Sequence, residues 1–373
     1  MKLLLPLLLY SIQVTAITLV PTPPSVTADA YILQDFHSGR VLMEKNINKR
    51  IEPASLTKLM TAYLVFKKLK AGKIKLDDTV TISEKAWRMT GSRMYLEVNT
   101  QVSVELLLKG MIIQSGNDAS VALAEFIGGT EEAFASLMNE QAKQLGLNGT
   151  HYVNSTGMPD EQHYTTVQDL VTLSQLLIRN FPEYYLWYSE QKLTYNNITQ
   201  PNRNRLLKRD PSVDGMKTGY TEKAGYCLVS SAKREKMRLI SVVMGTKSDK
   251  KRIRESEIIL DYGFRFFETF RIYEANQPLD FAKVWKGDKK QFQLGLADIL
   301  YVTIPKGQYN KLRATVFSNP YIIAPVKKGE DYGTLKITMG NQVVLEHPLI
   351  ALNSVNKGAL WERLIDSFFL FFY

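Results

Sequence analysis

Pro53-Ala54-Ser55-Leu56-Thr57-Lys58-Leu59-Met60-Thr61 is the stretch on which the reading turns. Pro53 suits a helix start, where its missing N–H is not needed. Leu59, Ala62, Tyr63, Phe66 and Leu69 then recur at helical spacing and mark a buried stripe. Ser55 and Lys58 are three residues apart, so a helix would set them on one face. A serine at that end also meets the positive pole of the helix dipole, which favours its alkoxide. The pair is a candidate nucleophile and base, provided burial and a nearby cation such as Lys217 lower the lysine pKa. The plainer reading is a capping serine with a solvated lysine one turn on. S-x-x-K does recur, at Ser189/Lys192, Ser230/Lys233, Ser248/Lys251 and Ser354/Lys357.

What separates Ser55 from these decoys is order and company. Ser115-Gly116-Asn117 follows, then Lys217-Thr218-Gly219. S-x-N recurs at Ser354/Asn356, but K-T-G occurs once. Together the three motifs supply a nucleophile, bases to activate it, and cationic and hydroxyl groups suited to an acidic substrate end, with no histidine required. These motifs, with Gln114-Ser115-Gly116-Asn117-Asp118-Ala119, Val213-Asp214-Gly215-Met216-Lys217-Thr218-Gly219 and Gly263-Phe264-Arg265-Phe266-Phe267-Glu268, are the basis of a resemblance. Over nearly its whole length the chain resembles the low-molecular-mass penicillin-binding proteins, specifically the periplasmic D-alanyl-D-alanine carboxypeptidases.

The resemblance implies an acyl-enzyme mechanism on a peptidoglycan pentapeptide, with β-lactam antibiotics as covalent inhibitors and no cofactor. Ser55 would attack the carbonyl between the two D-alanines, and Lys58 would take its proton. Ser115 would relay a proton to the departing amine. Asn117 would bond the substrate amide and Lys58. Lys217 and Thr218 would bind the terminal carboxylate on a strand edge, where Gly219 leaves room for the peptide backbone. The oxyanion donors would be the backbone N–H groups of Ser55 and Tyr220. Tyr220 stands where the family often has histidine. Arg252, in Lys251-Arg252-Ile253-Arg254-Glu255-Ser256, matches a stretch whose arginine helps hold the substrate carboxylate, with Lys251 in place of a glycine. The segment 87–100 is shorter than in the best-known members. A β-lactamase would share the motifs, but the E-x-x-x-N string of its class A deacylating glutamate is absent after Asn117. A transpeptidase, an endopeptidase or a non-catalytic peptidoglycan-organising protein are the other readings left open.

Composition bounds these choices. The length of 373 residues allows two domains and a sizeable core. The net charge of +10 suits an anionic polymer or membrane surface, but no aromatic-basic motif marks a nucleic-acid binder. Cys227 is the single cysteine, so no intramolecular disulfide can form. His37, His151, His163 and His347 are scattered, with no metal-ligand spacing, and no metal site is expected. His37 and His347 read as structural.

Along the chain, Met1-Lys2, the apolar run 3–10 and Val14-Thr15-Ala16 read as a secretory signal peptide over 1–16, so export is expected. Residues 25–273 are expected to form the penicillin-binding peptidase domain, an α/β fold with an antiparallel sheet flanked by helices and a helical lobe that holds the S-x-N loop. Strands are expected at 31–35, 40–45, 216–221, 225–232 and 238–245. Helices are expected after Ser55, at 104–114, from an Asp118 cap to 128–129, at 130–145, 166–179 and 252–267. Short alternating runs over 274–355 predict a small all-β sandwich, with a hairpin turn at Gly340-Asn341. Residues 356–373 form an amphipathic helix. Leu360, Trp361, Leu364, Ile365, Phe368 and Phe369 share one face, and Glu362, Arg363, Asp366 and Ser367 the other. Within it, the fifteen residues 359–373 span about 22 Å as a helix, short of the roughly 30 Å hydrocarbon core, which fits a helix lying in the inner-membrane surface. The alternative is a helix docked on the β domain.

Overall fold

The computed structural model describes residues 20–371. The signal-peptide segment 1–16 and the last two residues lie outside the described residues. An antiparallel sheet of five strands runs Val41–Lys45, Ala30–Asp35, Met237–Thr246, Gly225–Arg234, Val213–Thr221. Strands from both ends of the first domain therefore meet in its centre, with Ile32 opposite Val242. Alternation decides which way each side chain faces. Ile32 and Val242 enter the core shared with the helices Lys58–Lys70 and Val167–Asn180, while Leu33 and Val243 enter the core under Asp249–Phe266. A helical lobe of Val104–Ile113, Asn117–Gly128 and Glu131–Gln144 completes the domain. Its entries are set by side-chain caps: Ser103 accepts from the Leu106 N–H and Thr130 from the Ala133 N–H.

Two local readings are corrected here. Ser55 is not in an α-helix: Ala54–Thr57 is a 3-10 turn, and the α-helix begins at Lys58. Ser55 and Lys58 meet because the tight turn hands directly into the helix, not because they share a helix face. Asp118 does not cap the helix Asn117–Gly128, whose N-cap is Gly116. Its buried carboxylate instead accepts from the Met94, Tyr95 and Leu96 N–H groups at 3.0, 2.9 and 3.2 Å. Three amides of a distant loop outcompete the local cap.

The last helix of the first domain ends at Phe266, one residue earlier than expected. Phe267–Tyr273, placed by sequence in the first domain, pairs with Leu300–Pro305 of the second. That two-stranded sheet packs on a five-stranded sheet ordered Pro278–Lys283, Gln291–Gly295, Gln342–Ala351, Asp331–Met339, Leu312–Ser318. Val302 and Ile304 share a core with Leu335 and Ile337, the β sandwich that the alternating runs predict. The Gly340-Asn341 turn joins Asp331–Met339 to Gln342–Ala351, with Gly340 at φ +60°. The domains join through polar contacts. Thr269 donates to Asp35 Oδ2 at 2.7 Å, Arg40 donates to the Thr303 carbonyl at 2.6 Å, and His37 stacks on Tyr301.

The C-terminal helix Leu360–Phe371 is docked by its polar face. Asp366, expected to face water, is buried and accepts from the Lys286 N–H and from Lys290 Nζ. Leu360, Trp361, Leu364, Phe368 and Phe369 are left exposed. No helix among the described residues is long and apolar enough to cross a membrane.

Candidate active site

Ser55 opens onto a cleft of about 830 Å³ between the sheet edge and the helical lobe. Ser115, Asn117, Thr218, Gly219, Tyr220 and Arg252 line it as well, so elements far apart in sequence bring the expected residues to one place. Lys58 and Lys217 lie behind the wall, 1 % and 2 % exposed. Two buried lysines in one site are costly, and each is surrounded by the partners that make it tolerable.

Lys58 Nζ is 2.7 Å from Asn117 Oδ1, 2.7 Å from the Thr156 carbonyl and 3.1 Å from Ser55 Oγ. A neutral amine has two N–H donors and one lone pair. The two carbonyl oxygens take both donors, and the lone pair is left for the Ser55 hydroxyl. Burial drives the Lys58 pKa down to about 7, against the opposing pull of Asp118 and Glu131. The lowering therefore comes from desolvation rather than from a neighbouring cation. Repulsion shows on the other lysine: Lys217 is held well below its ordinary value by burial first, then by Lys58, Arg252 and Arg203.

Lys217 Nζ donates to Ser115 Oγ at 2.8 Å and to the Thr218 carbonyl at 3.0 Å. Ser115 sits at φ +66°, a left-handed conformation that is unusual for serine and turns its side chain into the site. The strand Val213–Thr221 carries Lys217, Thr218 and Gly219 past the nucleophile turn. A Cβ on Gly219 would lie 3.1 Å from the Pro53 carbonyl and 3.2 Å from Ala54 Cβ, so the glycine permits the close approach. The Tyr220 ring is half-exposed and stacks 4.3 Å from Tyr226. Arg252 is buried, donates to the Gly219 and Cys227 carbonyls, and pairs with Asp249, which also pairs with Arg205.

Several residues that build the site carried no local signal. Thr156 supplies a carbonyl to Lys58. Asn117 donates to the Thr90 carbonyl at 2.7 Å, and its N–H to that of Ser92 at 2.7 Å, so the 87–100 segment borders the cleft. His163, one of the scattered histidines, is buried with Nε2 2.9 Å from Thr57 Oγ1. Arg203 and Arg205 line the cleft beyond the hairpin Lys192–Tyr195/Ile198–Pro201, which the strand pattern missed. Its turn does hold a readable cue: Asn196 and Asn197 are both at positive φ, as a two-residue hairpin turn requires.

Comparison with known proteins agrees with this architecture. Residues 17–248 match the family described as D-alanyl-D-alanine carboxypeptidase, and residues 267–357 match the penicillin-binding protein 5 C-terminal domain. The chain is 45 % identical over 351 residues to the D-alanyl-D-alanine carboxypeptidase DacC of Escherichia coli, covering 92 % of this chain and 88 % of that protein. The crystal structure of penicillin-binding protein 5 from Haemophilus influenzae superposes with a TM-score of 0.88 at 42 % identity, over 90 % of this chain and all of that one. Penicillin-binding protein D2 of Listeria monocytogenes, solved in its ampicillin-bound form, aligns with a TM-score of 0.60 at 30 % identity, covering 65 % of this chain and 100 % of that one. The chain belongs to the D-alanyl-D-alanine carboxypeptidase family of penicillin-binding proteins.

Proposed function

We propose that this chain is a serine D-alanyl-D-alanine carboxypeptidase that trims peptidoglycan stem peptides and is acylated by β-lactams. The observation that carries the reading is the placement of Lys58: it is buried, its pKa is lowered to about 7, and Nζ lies between two carbonyl oxygens and Ser55 Oγ, so that as a neutral amine it can take the serine proton. Ser55 Oγ attacks the carbonyl of the penultimate D-alanine as its proton passes to Lys58. The Ser55 and Tyr220 N–H groups hold the oxyanion. Collapse breaks the C–N bond, and the proton reaches the leaving amine by way of Ser115, which Lys217 orients. Water then attacks the ester, with Lys58 as base, and releases the shortened peptide. Asn117 bonds the substrate amide. Thr218, Lys217 and Arg252 receive the carboxylate of the terminal D-alanine, and Gly219 admits its backbone. The test is incubation with a D-alanyl-D-alanine pentapeptide and with a penicillin. Release of free D-alanine and a slowly reversing adduct on Ser55 support the reading. Rapid β-lactam turnover would make it a lactamase. Against that outcome, the two buried carboxylates of the helical lobe are engaged elsewhere: Glu131 by Ser155 and Lys85, and Asp118 by the Met94, Tyr95 and Leu96 N–H groups.

Its place of work follows from both ends of the chain. Residues 1–16 direct export, and Leu360–Phe371 rests on the outer face of the inner membrane. The docked Asp366 points the apolar face away from the β domain, as a surface-lying helix requires. Lys286 and Lys290 meet this helix at Asp366, and Gly287 bridges to Lys357 just ahead of it. A lysine brought near an anionic surface favours binding by about 1 kcal/mol. Sedimentation with vesicles tests this: binding lost on deletion of 359–373 supports the anchor, and binding retained excludes it.

A further inference from the structure

Behind the nucleophile lies a one-way chain of hydrogen bonds that the mechanism above does not use. The Val153 N–H donates to His163 Nδ1 at 3.2 Å, which fixes the histidine proton on Nε2. Nε2 lies 2.9 Å from Thr57 Oγ1, and the Thr57 hydroxyl donates to the Ala54 carbonyl at 2.8 Å. Each donor and acceptor is used once and in the same direction, so each bond polarises the next. His163 and Thr57 are 2 % and 1 % exposed, so water does not compete.

The end of this chain is the informative part. Ala54 holds φ +49°, a conformation that costs an alanine energy and persists only where its surroundings impose it. Its carbonyl is pressed from one side by Gly157, at φ +85°. A Cβ there would lie 1.7 Å from the Ala54 oxygen and 2.8 Å from Thr57 Oγ1. The carbonyl of Ala54 and the N–H of Ser55 belong to one planar peptide unit and point in opposite directions. Whatever fixes the carbonyl therefore aims the N–H. We infer that Thr57 and His163 are positioning residues that hold the Ala54–Ser55 peptide so that its N–H faces the cleft as an oxyanion donor. Neither touches the reacting atoms; they act through the peptide plane. The inference rests on the reading of Ser55 as the acylated nucleophile.

The experiment is stopped-flow acylation by a chromogenic β-lactam, resolving the limiting acylation rate from the apparent binding constant, on the full chain. Two paired substitutions separate positioning from mere packing. Thr57→Ser keeps the hydroxyl and Thr57→Val keeps the volume. His163→Gln places an amide donor near the Nε2 position, and His163→Asn places one too short to reach Thr57. Removing an oxyanion donor costs about 10²–10³ in rate, and misaiming one should cost part of that. The expected result is a limiting rate about tenfold to a hundredfold lower for Thr57→Val and His163→Asn. Thr57→Ser and His163→Gln should stay within about threefold of wild type, and binding constants should hardly change. The double substitution Thr57→Val/His163→Asn should be no worse than Thr57→Val, because both break one chain. Equal rates within either pair overturn the inference, as does a loss confined to the binding constant or losses that multiply in the double variant. If one variant does not fold, the other pair decides. Ser55→Ala in the same series keeps the two readings apart. Adduct formation that survives Ser55→Ala defeats the nucleophile itself, whereas its loss beside a wild-type rate in Thr57→Val defeats only the positioning role.

Discussion

The catalytic cleft and the C-terminal helix break the usual rule of burial in opposite directions. In the cleft, two lysines are almost wholly removed from water. On the helix, Trp361 is 73 % and Phe371 85 % exposed, while the one buried side chain is an aspartate. Both arrangements are unfavourable for an isolated chain in water. The cleft compensates internally: Asn117, Thr156, Ser115 and the Thr218 carbonyl meet the two lysine nitrogens one by one. On the helix, Lys286 and Lys290 meet the buried aspartate, while Leu360, Trp361 and Leu364 stay exposed. One region is complete as folded; the other, on the proposed reading, is completed by an apolar surface.

If that contrast is right, damage to the cleft should be catalytic and damage to the helix should not. The largest effect is expected for Ser55→Ala, which should abolish β-lactam labelling and lower D-alanine release by about 10³–10⁶. Lys58→Arg should be nearly as severe as Lys58→Ala, because a guanidinium does not deprotonate near neutral pH. Lys217→Arg should retain part of the activity, since its proposed task is to bring positive charge toward a carboxylate and hold Ser115. Equal activity for Lys58→Arg and Lys217→Arg in a D-alanine release assay would erase the distinction between base and binder.

A second, smaller effect concerns pH and stability. Burial pushes the His163 pKa down to about 4, with Asp160 and Glu52 pulling it up and His151 and Lys58 lowering it. A depressed folded value means that the neutral ring stabilises the fold above the unfolded pKa of about 6.5. That contribution is lost as pH falls toward about 4. The wild type should lose on the order of 3 kcal/mol over this window from this group alone. His163→Gln should lose correspondingly less, as read by denaturant melts at each pH. Parallel curves would show that the imidazole does not titrate on unfolding.

Much of the cleft was legible because its chemistry is written in short motifs whose order survives in one dimension. Ser55, Ser115 and Lys217 could be picked from decoys by company alone. What could not be read is the geometry that tertiary contacts impose. The sequence predicts a helix through Ser55, yet Ala54 stands at positive φ, with Gly157 against its carbonyl and the His163–Thr57 chain bonded to it from about a hundred residues away. Asp118 offers an ordinary cap and instead ties down the 94–96 loop. Asp366 falls on the polar side of a helical wheel, but a wheel does not say which side meets protein. Each miss exchanges a local preference for a long-range partner.

The smallest catalytic effect should come from the helix. Deleting residues 359–373 should leave turnover of a small peptide unchanged while releasing the enzyme from vesicles. Each large apolar side chain contributes about 1.5–3 kcal/mol when buried, so detergent should release the full-length protein. The helix itself is nearly neutral, which predicts that high salt leaves it bound. Lysines near the helix would add only a salt-sensitive increment on anionic vesicles. Release by salt alone from zwitterionic vesicles would show that charge, not the apolar face, holds the protein.

The most direct test of the central claim is the pH dependence of Ser55 acylation, measured by stopped flow with a penicillin and mapped by mass spectrometry. Lys58 is the base only when neutral, so the limiting acylation rate should rise with pH through an apparent pKa near 7 and then level off. The adduct should sit on Ser55, and Lys58→Arg should lose the rise altogether. A rate independent of pH between 5 and 9, or a wild-type profile in Lys58→Arg, would contradict the account.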